Sequence, residues 1–182
     1  MVRLRSVLSI GKLAGSPEAG RYYTDAVAKG REDYYQGSGE VPGAWAGAGA
    51  QLLGLDGRVD DEAFATVLSG AAPDGGGARL REAQGKHDVA GFDLTFSAPK
   101  SVSVLFGVGG PRPAAAVREA HDAAVAAALG YIEREATFTR RGKGGREILR
   151  GDGLIAATFR HRTSRAGDPQ LHTHAVVANA TR

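Results

Sequence analysis

Apolar and polar residues alternate along several short stretches of the chain, and this pattern is typical of half-buried β-strands. It is cleanest in FDLTFS at 92–97, where the apolar side chains share one face and the polar side chains share the other. Weaker strand patterns cover 7–13, 154–162 and 171–180. A hairpin is predicted where the strand-like segments TFTRR and EILRG flank the glycine-rich residues 142–145.

Helical periodicity and helix-start signals separate these strands. The longest predicted helix covers 113–136, and its apolar stripe consists of Val117, Ala124, Val125, Ala128, Leu129 and Ile132. Shorter helices are predicted at 60–70, directly after Pro99, and from the N-cap signal at Ser16 onward. About five strands and three or four helices, with several strands adjacent in sequence, predict an α+β fold in which helices pack on a largely antiparallel sheet.

The composition narrows the class of protein. The 182 residues suffice for one domain with a core, and a hydrophobic content of 42% argues against extensive disorder. The sequence has no run of about 18 apolar residues, so it predicts no membrane span. Because the chain has no cysteine, disulfides and thiolate metal sites are excluded. These features, together with a composition rich in Gly, Ala and Arg, predict a cytoplasmic protein of a bacterium.

Positive charge is concentrated in one stretch of the chain. Residues 1–139 carry 14 Lys and Arg against 17 Asp and Glu, whereas residues 140–165 carry 8 basic and 2 acidic residues. A local excess of this kind favours a phosphate-binding surface, although a solvated hairpin rim has the same composition. The arginines that we expect to contact phosphates are Arg141, Arg146, Arg162 and Arg165.

The chain has five histidines, and three of them fall within 161–174. His172 and His174 share one face of a predicted strand, and His161 ends the preceding strand. If the two strands pair antiparallel, the three imidazoles converge and can bind a divalent ion, with positions left open for water or substrate. The ligand type leaves zinc, nickel, manganese and magnesium open as the metal. The alternatives are two ordinary strand histidines, or a structural metal that staples the strands together.

Four of the five tyrosines form the adjacent pairs Tyr22-Tyr23 and Tyr34-Tyr35. Adjacent tyrosines are usually packing or stacking residues. A phenol with a pKa near 10 is a weak nucleophile at neutral pH, but attack of its phenolate on a phosphodiester would store the ester bond as a phosphotyrosine. A metal ion at the phosphate would neutralise charge in the transition state, so the predicted metal site makes the pairs candidates for this chemistry.

Four motifs in sequence order resemble the N-terminal part of the MobF-type conjugative relaxases, the TrwC/TraI group. They are the two tyrosine pairs, WAGAGAQLLGL from Trp45, FDLTFSAPKSVS from Phe92, and FRHRTSR with DPQLHTH between Phe159 and His174. The resemblance runs nearly from end to end, and the last two motifs are the most specific. It implies a metal-dependent HUH-type endonuclease, which nicks single-stranded DNA at an origin of transfer and stays joined to the 5′ end through tyrosine.

The resemblance also implies roles for individual residues. The metal ligands would be His161, His172 and His174. The initiating nucleophile would be Tyr22 and the nucleophile of a second strand transfer would be Tyr34, with their neighbours Tyr23 and Tyr35 as alternatives. Asp93 would orient a metal-binding histidine and assist the removal of the phenolic proton.

We interpret residues 1–182 as a relaxase domain truncated at its C-terminal end, because domains of this family continue well beyond the histidine strand. The resemblance further implies a helicase domain in cis beyond Arg182 and other relaxosome proteins as partners, with no role for a membrane. Two alternatives stay open at this point. One is a rolling-circle replication initiator, which shares the chemistry, and the other is a non-catalytic fragment that binds single-stranded DNA.

Overall fold

The computed structural model describes residues 7–14, 42–81, 88–164 and 166–180. Their helices and strands follow in the order β1 (Leu8–Ala14), β2 (Ala44–Ala46), α1 (Ala48–Leu52), α2 (Asp61–Leu68), β3 (Val89–Ser97), α3 (Lys100–Val108), α4 (Pro111–Ala136), β4 (Phe138–Arg141), β5 (Glu147–Arg150), β6 (Ala156–Thr163) and β7 (Pro169–Ala178). A central sheet has the strand order β1-β3-β7-β6-β2 with antiparallel neighbours, and β4 pairs with β5 in a separate hairpin. The predicted α+β fold is confirmed.

One side of the sheet, here called the front face, packs against α1 and α2. Its core contains Phe159 and Val176 from the sheet and the fully buried Phe64 from α2. The ring of Phe64 meets the rings of Trp45 and Phe159 edge-on, at centroid distances of 6.2 and 5.5 Å. The N-cap residue of helix α2 is Asp60. Its carboxylate accepts hydrogen bonds from two amides in the first turn, which have no partner within the helix.

The opposite side, here called the back face, packs against the long helix α4. Leu94 and Phe96 of β3 contact Val125 and Leu129 of α4, which lie on the apolar stripe that the sequence predicts. Alternation along β3 therefore sends Leu94 and Phe96 to the back face, whereas Asp93 and Thr95 point to the front face.

The glycine-rich segment after Trp45 allows α1 to lie directly against the chain that leads into β6. A Cβ on Gly49 would come within 2.6 Å of the carbonyl oxygen of Gly153, so only glycine fits there. The carboxylate of Glu133 accepts hydrogen bonds from the amides of Ala48 and Leu154, at 2.9 and 2.8 Å, and joins α4 to both segments.

The strand and helix predictions are confirmed for the described residues, with bounds that differ by a few positions. The short strand β2, which closes the β6 edge of the sheet, was not predicted, because three residues carry too little periodicity to detect. The helix predicted from Ser16 onward lies outside the described residues. No helix in the described part of the chain is both long and apolar enough to cross a membrane.

Candidate metal centre

Three histidines form one cluster on the front face of the sheet, beyond the part that α1 and α2 cover. His161 of β6 and His172 of β7 are direct cross-strand partners, and His174 of β7 lies opposite Thr95 of β3. The ring centroids are 5.2 Å apart for His161 and His172, 5.4 Å for His161 and His174, and 5.1 Å for His172 and His174. The antiparallel pairing of β6 with β7 produces this convergence.

Hydrogen bonds determine which ring nitrogen carries the proton in two of the three histidines. Nδ1 of His174 lies 2.9 Å from both carboxylate oxygens of Asp93, and Nδ1 of His172 lies 2.9 Å from the carbonyl oxygen of Gln170. Carboxylate and carbonyl oxygens accept, so in the neutral rings Nδ1 must donate. In His172 and His174 the lone pair is then on Nε2, where a metal ion can bind.

His161 is the most buried member of the cluster, at 5% exposure, and its Nε2 atom is shielded from solvent. Its ring stacks on that of His172 with an angle of 25° between the planes. The side chains of His174 and Asp93 keep 20% and 14% of their surface exposed. The cluster therefore has a closed side at His161 and an open side from which a ligand can approach.

The donor set fits a divalent ion, which ligand bonds of about 2 Å could join to three rings at this spacing. Within the described ranges, however, no group of three or more His, Asp or Glu side chains is placed so that it could hold a metal ion as it stands.

The back face behind the cluster is tied to α4 by two polar contacts. His121 bonds Oγ1 of Thr173 at 2.8 Å, and Asp122 forms an ion pair with Arg160. Arg160 and Thr173 are cross-strand partners, so both contacts lie directly behind the strands that carry the histidines. Burial lowers the pKa of His121 below its ordinary value; the nearby Asp122 raises it and Arg160 lowers it, each to a smaller extent.

Of the four predicted phosphate-binding arginines, the two whose side chains the structure describes, Arg162 and Arg146, lie away from the histidines. The guanidinium of Arg162 lies 5.5 Å from the ring centre of Phe106 in α3, on the back face. Arg146 is exposed on the separate β4–β5 hairpin, where the backbone of Arg141 pairs with Glu147. Arg165 and the side chain of Arg141 lie outside the described part of the structure.

The four tyrosines proposed for catalysis also lie outside the described residues. They are Tyr22, Tyr23, Tyr34 and Tyr35.

Two groups that were not predicted from the sequence contact the cluster. Thr95 places its hydroxyl 3.2 Å from Nδ1 of His174, and strand alternation from Asp93 could have revealed this. No signal in the sequence indicates that the main-chain carbonyl of Gln170 serves His172.

The fold and the cluster together define a class of protein, in which an antiparallel sheet displays three histidines and one acid on a single face. The family model described as TrwC relaxase matches residues 16–182, so the chain belongs to the TrwC relaxase family.

The relatives that the chain resembles are conjugation proteins. It is 41% identical over 176 residues to the multifunctional conjugation protein TraI of Escherichia coli strain K12, covering 96% of this chain and 10% of that protein. The metal-bound structure of the conjugative relaxase TrwC with oriT DNA has a TM-score of 0.76 at 39% identity. A copper-bound TrwC complex with oriT DNA has the same TM-score of 0.76 at 37% identity. The chain covers 57% and 58% of those two structures, respectively, and so spans little more than half of them.

Proposed function

We propose that this chain is the N-terminal part of a relaxase domain, which nicks one DNA strand at an origin of transfer and so initiates conjugative transfer. One observation carries the proposal: a chain of the TrwC relaxase family holds three imidazoles together, with Asp93 bonded to one of them. The similar solved structures contain oriT DNA, and the Escherichia coli relative is a conjugation protein. These relatives favour conjugative transfer over initiation of rolling-circle replication.

His161, His172 and His174 are proposed to hold a divalent ion through their Nε2 atoms. The similarity to metal-bound and copper-bound TrwC structures supports a metal cofactor, with zinc, nickel, manganese and magnesium also candidates. When bound, the ion supplies positive charge that stabilises the phosphate group in the transition state. Asp93 keeps the Nδ1 proton on His174 and so presents the Nε2 lone pair to the ion.

Tyr22 is proposed as the nucleophile of the first strand transfer. Its phenolic oxygen loses a proton and forms a bond to phosphorus, while the bond from phosphorus to O3′ breaks. O3′ takes up a proton and leaves as a hydroxyl, and the 5′ phosphate stays on the tyrosine. We also propose that Asp93 assists the removal of the phenolic proton. Tyr34 is proposed to act in the second transfer, with Tyr23 and Tyr35 as the alternatives.

The partners follow from the same proposal. Single-stranded DNA at the origin of transfer is the substrate, and the basic residues of 140–165 are proposed to bind its phosphates without reading its sequence. A helicase domain in cis beyond Arg182 and other relaxosome proteins complete the assembly, in the cytoplasm of a bacterium.

An adduct assay tests the proposal. The protein is incubated with labelled single-stranded DNA from the transfer origin of its own replicon and with Mn²⁺ or Zn²⁺, and a covalent product is sought on a denaturing gel. We expect an adduct that Tyr22→Phe removes and that Tyr34→Phe largely retains. Alanine in place of His161, His172 or His174 should abolish metal-dependent cleavage.

Peptide mapping of the adduct identifies the nucleophile. A phosphotyrosine on Tyr34 or Tyr35 would overturn the assignment of Tyr22. DNA binding without any adduct, in this chain and in a longer form that continues beyond Arg182, would instead support a non-catalytic DNA-binding module.

A further inference from the structure

The strand that carries two of the histidines is irregular directly before them. His161 pairs with His172, but the next registered pair is Thr163 with Pro169. Gln170 and Leu171 of β7 therefore lie opposite the single residue Arg162 of β6, which makes a β-bulge. Bulges bend a strand locally and can redirect a side chain beside a functional site.

The bulge accounts for the hydrogen bond that determines the tautomer of His172. In a regular strand the carbonyls point along the sheet toward neighbouring strands, whereas side chains stand perpendicular to it. Nδ1 of a histidine would not ordinarily reach the carbonyl two residues earlier. In the bulge the carbonyl oxygen of Gln170 lies 2.9 Å from Nδ1 of His172.

Helix α3 contacts the bulged part of β7 along the edge that pairs with β3, opposite the edge that pairs with β6. The β3 ladder ends where the amide of Ala98 donates to the carbonyl of Leu171 at 2.9 Å, and the chain then turns into α3. The amide of Leu171 donates instead to Oγ of Ser103, at 3.0 Å, and both residues are fully buried. Beyond the end of β3, a side chain of α3 therefore accepts the hydrogen bond that β7 would otherwise donate to a neighbouring strand.

Helix α3 makes a second contact with β7, two residues before Leu171. The ammonium of Lys100 donates to the carbonyl of Pro169 at 3.0 Å. Lys100 and Ser103 are three residues apart, so they lie on one side of α3 and contact β7 at positions two residues apart. The residue between these contacts is Gln170, whose carbonyl serves His172.

We propose that Lys100 and Ser103 are positioning residues of the metal centre: they hold the bulged start of β7 so that the Gln170 carbonyl keeps the proton of His172 on Nδ1. This inference rests on the proposed role of His172 as a metal ligand. It also gives a function to the second half of the motif FDLTFSAPKSVS. The first half places Asp93 on His174, and the second half acts on His172 through the main chain of β7.

The tautomer of His172 can be measured in the metal-free protein. Long-range ¹H–¹⁵N correlation spectra of the labelled chain, at a pH where the rings are neutral, show which nitrogen is protonated. We expect Nδ1–H in the wild type and a shift toward Nε2–H in Ser103→Ala. The affinity for Mn²⁺ or Zn²⁺ by calorimetry should fall about tenfold in that variant, as is common when a group behind a ligand is removed. Ser103→Thr keeps the hydroxyl and should restore both.

Thr173→Val is the matched control. It removes a buried hydroxyl from the back of the same strand, two residues from Leu171, and it breaks the bond to His121. Its melting temperature should fall, while the His172 tautomer and the metal affinity stay as in the wild type. An equal tautomer change in Thr173→Val would show that any loosening of β7 suffices, and would overturn the proposal.

If Ser103→Ala does not fold, Lys100→Met tests whether α3 determines the His172 tautomer. The Lys100 side chain is 60% exposed, so its loss leaves the core intact. A folded variant at either position that keeps His172 wholly in the Nδ1–H form would refute the positioning role. If the wild type binds no metal, the metal proposal fails by itself, and the tautomer comparison still decides whether α3 positions His172.

Discussion

Replacing Asp93 with asparagine should weaken metal binding through His174. Both carboxylate oxygens of Asp93 lie 2.9 Å from Nδ1 of His174, so one N–H donates to a charged acceptor. Asparagine has nearly the same shape and keeps one oxygen that can accept this proton. The substitution therefore removes the negative charge with little change in packing.

The hydrogen bond from His174 to Asp93 exists with and without the ion, so the metal affinity falls only by the amount by which the charged acceptor stabilises the ring more strongly once the ion is bound. A hydrogen bond to a charged group contributes about 1.5–3 kcal/mol, and a neutral one about 0.5–1.5 kcal/mol. The side chains are mostly buried, at 20% and 14% exposure, so solvent screens the interaction only in part. A loss of about 1.4 kcal/mol corresponds to a tenfold weaker affinity. We expect Asp93→Asn to bind Mn²⁺ or Zn²⁺ about tenfold less tightly than the wild type.

Isothermal titration calorimetry of the metal-free chain measures this difference. Asp122→Asn is the charge-matched control, because it removes the same charge from the back face, where Asp122 pairs with Arg160. Its metal affinity should equal that of the wild type. Equal affinities for Asp93→Asn and the wild type would refute the argument. Equal losses in the two variants would show that net charge, and not the bond to His174, determines the affinity.

Three further predictions concern stability and DNA binding. His121→Gln should lose less stability on acidification than the wild type, as thermal melts at several pH values would show. Burial lowers the pKa of His121 from 6.5, so the stability that its neutral ring provides is present above about pH 6.5 and is lost as the pH falls through the folded-state pKa. Phe64→Ala should lower the free energy of unfolding by about 3–5 kcal/mol in urea denaturation, because the ring is 1% exposed; a loss below about 1 kcal/mol would contradict its place in the core. Charge reversal of Arg141 and Arg146 together should weaken binding to unrelated single-stranded DNAs to the same extent and reduce the salt dependence of that binding. Unchanged affinity at low salt would show that the hairpin is a solvated rim that does not bind DNA.

Local patterns in the sequence sufficed to predict much of the fold. Alternation in FDLTFS at 92–97 predicted that Asp93 and Thr95 lie on the face opposite Leu94 and Phe96, which is the arrangement observed. The stripe on 113–136 predicted which side of α4 is buried. These predictions required no knowledge of what packs against either element, because the period of a strand or helix relates residues that are near one another in the chain.

The candidate site could be predicted only in part from the sequence. The spacing of His172 and His174 determined that they share a face, and His161 required one assumption, that its strand pairs antiparallel with theirs. Arg162 directly follows His161, so alternation alone could have separated it from the cluster. The structure places it over Phe106 on the back face, where it does not join the histidines.

The tertiary structure decided how the site is supported. Only the position of β7 between β3 and β6 brings Asp93 against His174, across 81 residues of sequence. The register shift opposite Arg162 also lies in the tertiary structure alone, and at this shift the Gln170 carbonyl is 2.9 Å from Nδ1 of His172. Periodicity determines the face on which a side chain lies, whereas strand order, register and main-chain hydrogen bonds depend on long-range packing that no local pattern encodes.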